Sequence, residues 1–401
     1  MLAPWGGLAD SLLRLGQGWR LVTRSELSSD ERELLGHANG ASDVGALLLP
    51  NDDVSFPTKV VCEETANALE LLRRPSSYAE LAQRLNSGPH FEEVLGLVLD
   101  GVVEIELDRG FLSGPAAYPT LVRDAGAPGT EMGRTDSLSR DALRHVAALD
   151  SLDAERMALR LYLFNSAPLT ANWHKMVPND LAAERYLGLH ESGTTRQSLE
   201  RRWLQVQSAD STEAWSVWRP AGGRGVDRVP TRQPKIYLSP RPEDTPRCLA
   251  MLVDTLSNAD VPLWLKVARS PRGLLRPDKI VLYPRPSAAL EPVADLLAVR
   301  FTGMPSQGVP FTARFATDDA LLSWGVDPPD ERGQGSLLPR HSWRSWITAR
   351  LASALIHARA CGLGSDAWQF ALLRMRCEGV DPSNWQPSAD LWDAKWQSGD
   401  S

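Results

Sequence analysis

At 401 residues, with 43% apolar and 23% charged side chains, the chain has ordinary globular usage and enough length for two to three domains that need no covalent staples. The formal charge of −7 argues against a general nucleic-acid binder, and no stretch reaches the roughly 18 apolar residues of a membrane span. Residues 1–20 lack a basic start and carry Asp10, so no secretory signal is read and the expected setting is cytoplasmic.

The four cysteines, Cys62, Cys248, Cys361 and Cys377, form no CxxC pair, so neither a disulfide framework nor a zinc cage has support. His357 lies one helical turn before Cys361, with Cys377 further on. We read these three as small core residues rather than metal ligands, and expect no metal and no cofactor.

In chain order, residues 11–23 mix a short amphipathic stretch with a strand signal. Residues 45–61 read as two strands, GALLLP and FPTKVVC, joined at Asn51-Asp52-Asp53. Three helical patterns follow. Residues 63–73 place Ala66, Leu69 and Leu72 on one face. Residues 77–85 start from Ser76-Ser77, with Glu80 at capping-box distance from Ser77. Residues 91–100 align Phe91, Val94, Leu95 and Val98 before Gly101 stops the helix. Residues 102–107 alternate as a strand, and Asp108-Arg109-Gly110 turns into a second one at Phe111.

Two strands, three helices and a hairpin make a winged-helix plan. Its ordinary version reads DNA with a basic third helix, whereas FEEVLGLVLD is acidic and apolar. The order LLLP, FPTKVV, ETANALELL, SYAELAQRL and FEEVLGLVLDGVVEIE resembles PqqD-like domains, the leader-recognition modules of ribosomal peptide modification. That resemblance implies a leader peptide bound as an added strand at a sheet edge. A winged helix that merely packs on the rest is the alternative.

Residues 119–139 are Gly-, Ala- and Thr-rich and read as a linker between a first domain, 1–118, and a helical region with a polar loop, 140–230. Within the latter, 140–164 and 179–188 read as helices and 208–232 as a loop. The AGGRG in that loop lacks the Lys-Ser/Thr of a phosphate-binding loop. Residues 231–401 read as an α+β domain. Strands are expected at 235–239, 262–267, 279–283, 311–316 and 320–325, with helices at 245–258 and 287–300. A long helix at 342–361 and a Trp-rich tail (Trp368, Trp385, Trp392, Trp396) close it. The fold class is thus α+β: a winged-helix-like front, a helical middle and an α+β C-terminal part.

The middle of this acidic chain is basic. Arg232, Lys235, Arg241, Arg247, Lys266, Arg269, Arg272, Arg276, Lys279 and Arg285 crowd against Glu243, Asp244, Asp254, Asp260 and Asp278. A local cationic field attracts an anionic side chain, and a phosphorylated Ser or Thr suits arginine forks. A solvated basic face is the plain alternative. Lys266 in PLWLKVA and Lys235 in KIYLS sit among apolar residues. Such surroundings disfavour the cation, and a neutral amine beside a phosphate is a general base; a salt-bridged or snorkelling lysine is the duller option.

KIYLSPRPEDTPRCLAMLVDTL, VPLWLKV, LLRPDKIVLYPR and GVPFTARF…LLSWGVDPP resemble the HopA-type effector family. Relatives of that family occur in thioamitide and class-five lanthipeptide pathways. The resemblance implies a phosphoserine/phosphothreonine lyase: a kinase-like partner phosphorylates a precursor peptide, and this chain eliminates phosphate to leave dehydroamino acids. Under that reading Arg276, Lys279, Arg241 and Arg269 hold the phosphate. Lys266 or Lys235 takes the α-proton, and Tyr237, Tyr283 or His341 donates one. The chain departs from the pattern at Lys279 in its loop and at SWGVDPP, where relatives tend to end in Glu-Pro.

No Gly-rich loop before a Val-Ala-x-Lys strand, no His-Arg-Asp loop and no GxSxG elbow is present. The chain is therefore expected to work with a kinase-like tailoring enzyme and a precursor peptide, without nucleic acid or membrane. Two alternatives stand beside the enzyme: a non-catalytic scaffold that grips peptide for its partner, and, ranked last, a secreted effector.

Overall fold

Each apolar pattern in the chain has to bury its face against another, and the computed structural model shows where. It describes residues 8, 10–29, 31, 44–51, 58–84, 91–124, 133–149, 153–206, 215–222, 234–259, 261–315, 320–327 and 342–387. The chain is mixed helix and sheet and divides into two units. One comprises residues 1–129, 330–340 and 351–380; the other comprises 130–329, 341–350 and 381–401.

In the first unit, β1 (Leu12–Leu15), β2 (Trp19–Thr23), β3 (Val44–Pro50) and β4 (Lys59–Cys62) precede α1 (Glu63–Leu71). Then come β5 (Ser76–Ser77), α2 (Tyr78–Arg84), α3 (Phe91–Leu99), the hairpin β6 (Val103–Leu107) and β7 (Gly110–Leu112), and α4 (Gly114–Asp124). Strands β2, β3 and β4 form one antiparallel sheet, and a second has the order β5-β1-β6-β7. The expected capping box is reciprocal: Glu80 N–H donates to Ser77 Oγ (3.2 Å) and Ser77 N–H to the Glu80 carboxylate (3.0 Å). Helix α3 buries Val94, Leu95, Val98 and Leu99, and Gly101 at φ +73° ends it. Residues 11–23 carry two strands rather than one.

The second unit begins with five helices: α5 (Arg134–Ala147), α6 (Ala154–Leu163), α7 (Ala171–Met176), α8 (Asp180–Leu187) and α9 (Thr194–Glu200). Strands β8 (Trp203–Val206), β9 (Trp215–Pro220) and β10 (Pro234–Leu238) lead to α10 (Thr245–Ala259). Next are β11 (Leu263–Ala268), β12 (Ile280–Pro284), α11 (Leu290–Arg300), β13 (Ala313–Arg314) and β14 (Leu322–Val326). The first turns of α12 (Trp343–Ala360) complete it, and α13 (Ala367–Cys377) belongs to the first unit. No helix among the described residues is long and apolar enough to cross a membrane.

One seven-stranded, wholly antiparallel sheet organises this unit, in the order β13-β14-β10-β12-β11-β9-β8. Side chains alternate between its faces. Ile236, Leu238, Leu263, Leu265, Val267, Ile280, Leu282 and Trp218 point to the face that joins Leu249, Leu252, Val253 and Leu256 of α10 and Val293 and Leu297 of α11 in the main core. The opposite face carries Tyr237, Trp264, Val281, Tyr283 and Val217, packed with Val309. Covering both faces is why every residue of β10 and β12 is buried.

Three expectations change. The supposed loop 208–232 contains β9, an interior strand of the sheet, because Trp215, Val217 and Trp218 have cross-strand partners to pack on. The supposed linker 119–139 holds the end of α4 and the start of α5, whose Asp136 accepts a bond from Gly133 N–H at 3.0 Å; residues 125–132 lie outside those described. The strands expected at 311–316 and 320–325 shorten to Ala313–Arg314 and shift to Leu322–Val326. The turn at Thr317-Asp318-Asp319, Trp392 and Trp396 lie outside the described residues. Trp385 is fully buried, edge-on to Phe311.

Candidate active site

Registry builds the site. Across the sheet, Ser323, Tyr237, Val281, Lys266, Val217 and Val206 stand in one row on one face. The next row on that face carries Gly325 and its partner Lys235, then Tyr283 and its partner Trp264. The two lysines singled out in the sequence therefore share a face, on strands separated by β12, about 10 Å apart laterally.

Their surroundings differ. Lys235 is 3% exposed, and its Nζ is bonded to the Asp327 carboxylate and lies over the Tyr283 ring. Asp327 also accepts the N–H of Trp343 at 3.0 Å, so it sits at the N-terminal end of α12, where the helix dipole favours an anion. Gly325 allows this arrangement: a Cβ there would meet the Trp343 ring at 2.5 Å. The acid that departs from the Glu-Pro pattern thus has a definite partner. Lys266 is partly exposed, and its Nζ lies 4.9 Å from the centre of the Trp215 ring.

The same ring carries Arg276, whose guanidinium is 5.5 Å from its centre. Arg276 is held from behind by a fork to Asp278, with Nε to Oδ1 at 2.9 Å and Nη2 to Oδ2 at 2.8 Å. Its Nη2 also donates to Tyr162 Oη at 2.7 Å, and that hydroxyl donates to Asp278 Oδ2 at 3.1 Å. Arg344, 1% exposed, pairs with the same carboxylate at 2.8 Å and donates to the Tyr162 carbonyl at 2.6 Å.

These contacts set the charge states. Burial works against the Asp278 carboxylate, but Arg344 and Arg276 hold it below the ordinary carboxylate range. Burial also opposes the Arg276 cation, yet Asp278 keeps it firmly charged. Tyr162 is pushed above the usual phenol range by burial and then by Asp278. Tyr237 and Tyr283 are pushed up by burial and by Asp327, so all three phenols keep their protons at neutral pH.

Lys279 is not at this surface. It is fully buried, donating to the Pro240 carbonyl (2.8 Å) and Gln307 Oε1 (2.6 Å). Gln307 Nε2 donates in turn to the carbonyls of Asn165 (2.5 Å) and Leu275 (3.0 Å), and Ser239 Oγ donates to Pro277 O (2.7 Å). Burial lowers Lys279 to about 7. The expectation that it holds phosphate is corrected: it ties together the loops around 240, 276 and 307, because no water reaches its amine.

Arg241 is exposed at the start of the turn Pro242–Asp244, and Arg269 lies 3.7 Å from Glu184 on α8. His341 is outside the described residues. Of the expected convergence, Lys266 and Arg276 meet; Lys235 shares the face but is committed to Asp327, and Lys279 is elsewhere. Among the described residues no group of three His, Cys, Asp or Glu side chains gathers as a metal site, and His357 stacks on Phe370.

Sequence reasoning missed Trp215, Tyr162 and Arg344. The run Trp215-Ser216-Val217-Trp218 carried a strand signal inside a polar stretch. Nothing local marked Tyr162 or Arg344, which lie more than 60 positions from Asp278.

No family model matches the sequence, and no curated protein matches it. Solved structures do. An effector protein from Pseudomonas syringae pv. syringae strain 61 is 14% identical, with a TM-score of 0.35 over 63% of this chain and 98% of that one. An effector from Pseudomonas syringae pv. tomato strain DC3000 is 15% identical, with a TM-score of 0.37 over 64% of this chain and 99% of that one. The VirA (SpvC) phosphothreonine lyase effector of Chromobacterium violaceum is 12% identical, with a TM-score of 0.26 over 31% of this chain and 66% of that one.

Proposed function

We propose that the chain eliminates phosphate from phosphorylated Ser or Thr residues of a ribosomally made precursor peptide, after its first unit has gripped the leader and a kinase-like partner has phosphorylated the core. The observation that carries the chemistry is that Lys266 and Arg276 both lie against the ring of Trp215, a residue on the same sheet face as Lys266.

The step is a β-elimination. The amine of Lys266, once it has given up its own proton, takes the α-proton of the phosphorylated residue. The electron pair forms the Cα–Cβ double bond, and the Cβ–O bond breaks. Phosphate leaves with that bond's electrons, its charge held by Arg276, and its leaving oxygen takes a proton from a phenol of the same sheet face, Tyr237 or Tyr283. Atoms balance without a metal or redox partner. Arg276 suits the clamp because its fork to Asp278 fixes the guanidinium plane before ligand arrives, while about a fifth of its side chain (22%) is exposed.

The N-terminal part of the reading is supported by the β2-β3-β4 sheet, whose edge strand β4 exposes Val60, and by the apolar third helix α3. An extended leader pairs with such an edge.

A second reading has one observation in its favour: Arg276 already satisfies Asp278 and Tyr162, as in a structural network. Under it the chain is a non-catalytic subunit that presents peptide to a kinase-like enzyme. The purified full chain, incubated with a synthetic phosphothreonine peptide, separates the two by mass spectrometry. Loss of phosphoric acid supports the lyase. Leader binding with an unchanged phosphopeptide leaves the scaffold.

A further inference from the structure

Resting on the lyase reading, we infer that Trp215 is the positioning residue of the site: its indole holds the proton-abstracting amine of Lys266 and the phosphate clamp of Arg276 at a working separation. The strand that carries it makes this possible. Trp215 pairs with Ala268 and Val217 with Lys266, so Trp215 stands diagonal to Lys266 on the same face, within reach of a long side chain.

Distances of 4.9 Å and 5.5 Å to one ring centre cap the Lys266–Arg276 separation at about 10 Å. A phosphoryl group with charge-assisted bonds of about 2.7–2.9 Å on either side spans roughly 8 Å, so it bridges the two groups along the edge of the ring rather than across it.

While Lys266 is protonated, two like charges that close repel by about 1–2 kcal/mol at an effective dielectric near 20. Asp278 and Tyr162 restrain Arg276 from behind. The negative face of the indole is a contact that Arg276 and Lys266 have in common. Trp215 touches neither the α-carbon nor the phosphate in this account. It acts through the two cations.

The test compares wild type with Trp215→Phe and Trp215→Leu in the full chain. The readouts are affinity for a synthetic phosphothreonine peptide by calorimetry, with its unphosphorylated form as control, and the pH profile of elimination. We expect Trp215→Leu to bind about fivefold more weakly and Trp215→Phe to recover most of the loss, with the profile displaced in the Leu variant only. Should the Leu variant not fold, fluorinated tryptophans placed at position 215 keep the shape and withdraw ring density, and affinity should fall stepwise with fluorine count.

Equal affinity across the series, or a loss that neither Phe restores nor fluorination grades, overturns the inference. Graded affinity without elimination sinks the lyase reading and leaves Trp215 as organiser of a binding site. A wild-type chain with no preference for the phosphorylated peptide removes both.

Discussion

Lys235 and Lys266 stand on the same face of one antiparallel sheet, in adjacent rows, with apolar neighbours on either side along their strands. By local sequence they are near equivalents, yet the fold gives them different work. Lys235 lies beneath α12 and is neutralised by Asp327, itself fixed at that helix's N-terminus. Lys266 lies on Trp215 and shares that ring with Arg276. The setting of each lysine follows from what the rest of the chain brings over its strand: a carboxylate at a helix N-terminus for Lys235, an indole for Lys266.

Substitutions break or sharpen this contrast. Lys266→Ala should lower elimination about 10²–10⁴-fold, with intact phosphopeptide accumulating and the melting transition unmoved. A dehydrated product formed at the wild-type rate would show that the amine is not the base. Asp278→Ala strips the carboxylate shared by Arg276 and Arg344 and leaves two buried cations uncompensated, a loss of about 3–5 kcal/mol in urea denaturation. Lys235→Met should cost about 3 kcal/mol by the same measurement, since Asp327 then lacks its cation, while activity per folded molecule stays near wild type. Activity falling as far as in Lys266→Ala would erase the distinction between the two lysines.

Lys279 supplies a pH test of the tie behind Arg276. Its folded value is lowered by burial from 10.5 to about 7, so above pH 7 the unfolded chain binds more protons at this residue than the folded one. Stability should therefore rise with pH, by on the order of 1–2 kcal/mol from about pH 7 until thiol ionisation in the unfolded state begins near 9 and Cys248 opposes it. In Lys279→Met that rise should vanish. A slope unchanged in the variant would assign it to another group. The smallest effect belongs to Arg241→Ala. Because the side chain is exposed, stability should move by less than about 0.5 kcal/mol, and phosphopeptide affinity should be unaltered in calorimetry. A marked loss of affinity would restore Arg241 to the phosphate clamp.

Much of the fold was legible in the sequence because neighbours decide it. The Ser77–Glu80 box, the stop at Gly101, the hairpin at 108–110 and the buried stripe of α10 each depend on residues within a few positions, and each is found where spacing put it. Strand β9 was not legible, because its polar flanks outweighed four informative residues until β11 and β8 supplied partners. At the site, Lys266 and Arg276 were legible as cations in a basic stretch. That they share a ring was not, since that ring comes from β9 and the restraint behind Arg276 comes from α6 and α12.

Residue order alone determined most of the helices and strands, which of their side chains alternate inward, and that a basic middle sits within an acidic chain, because those properties follow from short-range sterics and composition. Only the tertiary structure decided which cations are spent on internal carboxylates and which reach a surface. Charge neutralisation depends on distance in space, and Lys235 with Asp327, Arg276 with Tyr162, and Asp278 with Arg344 are brought together by strand registry and helix placement rather than by any local pattern.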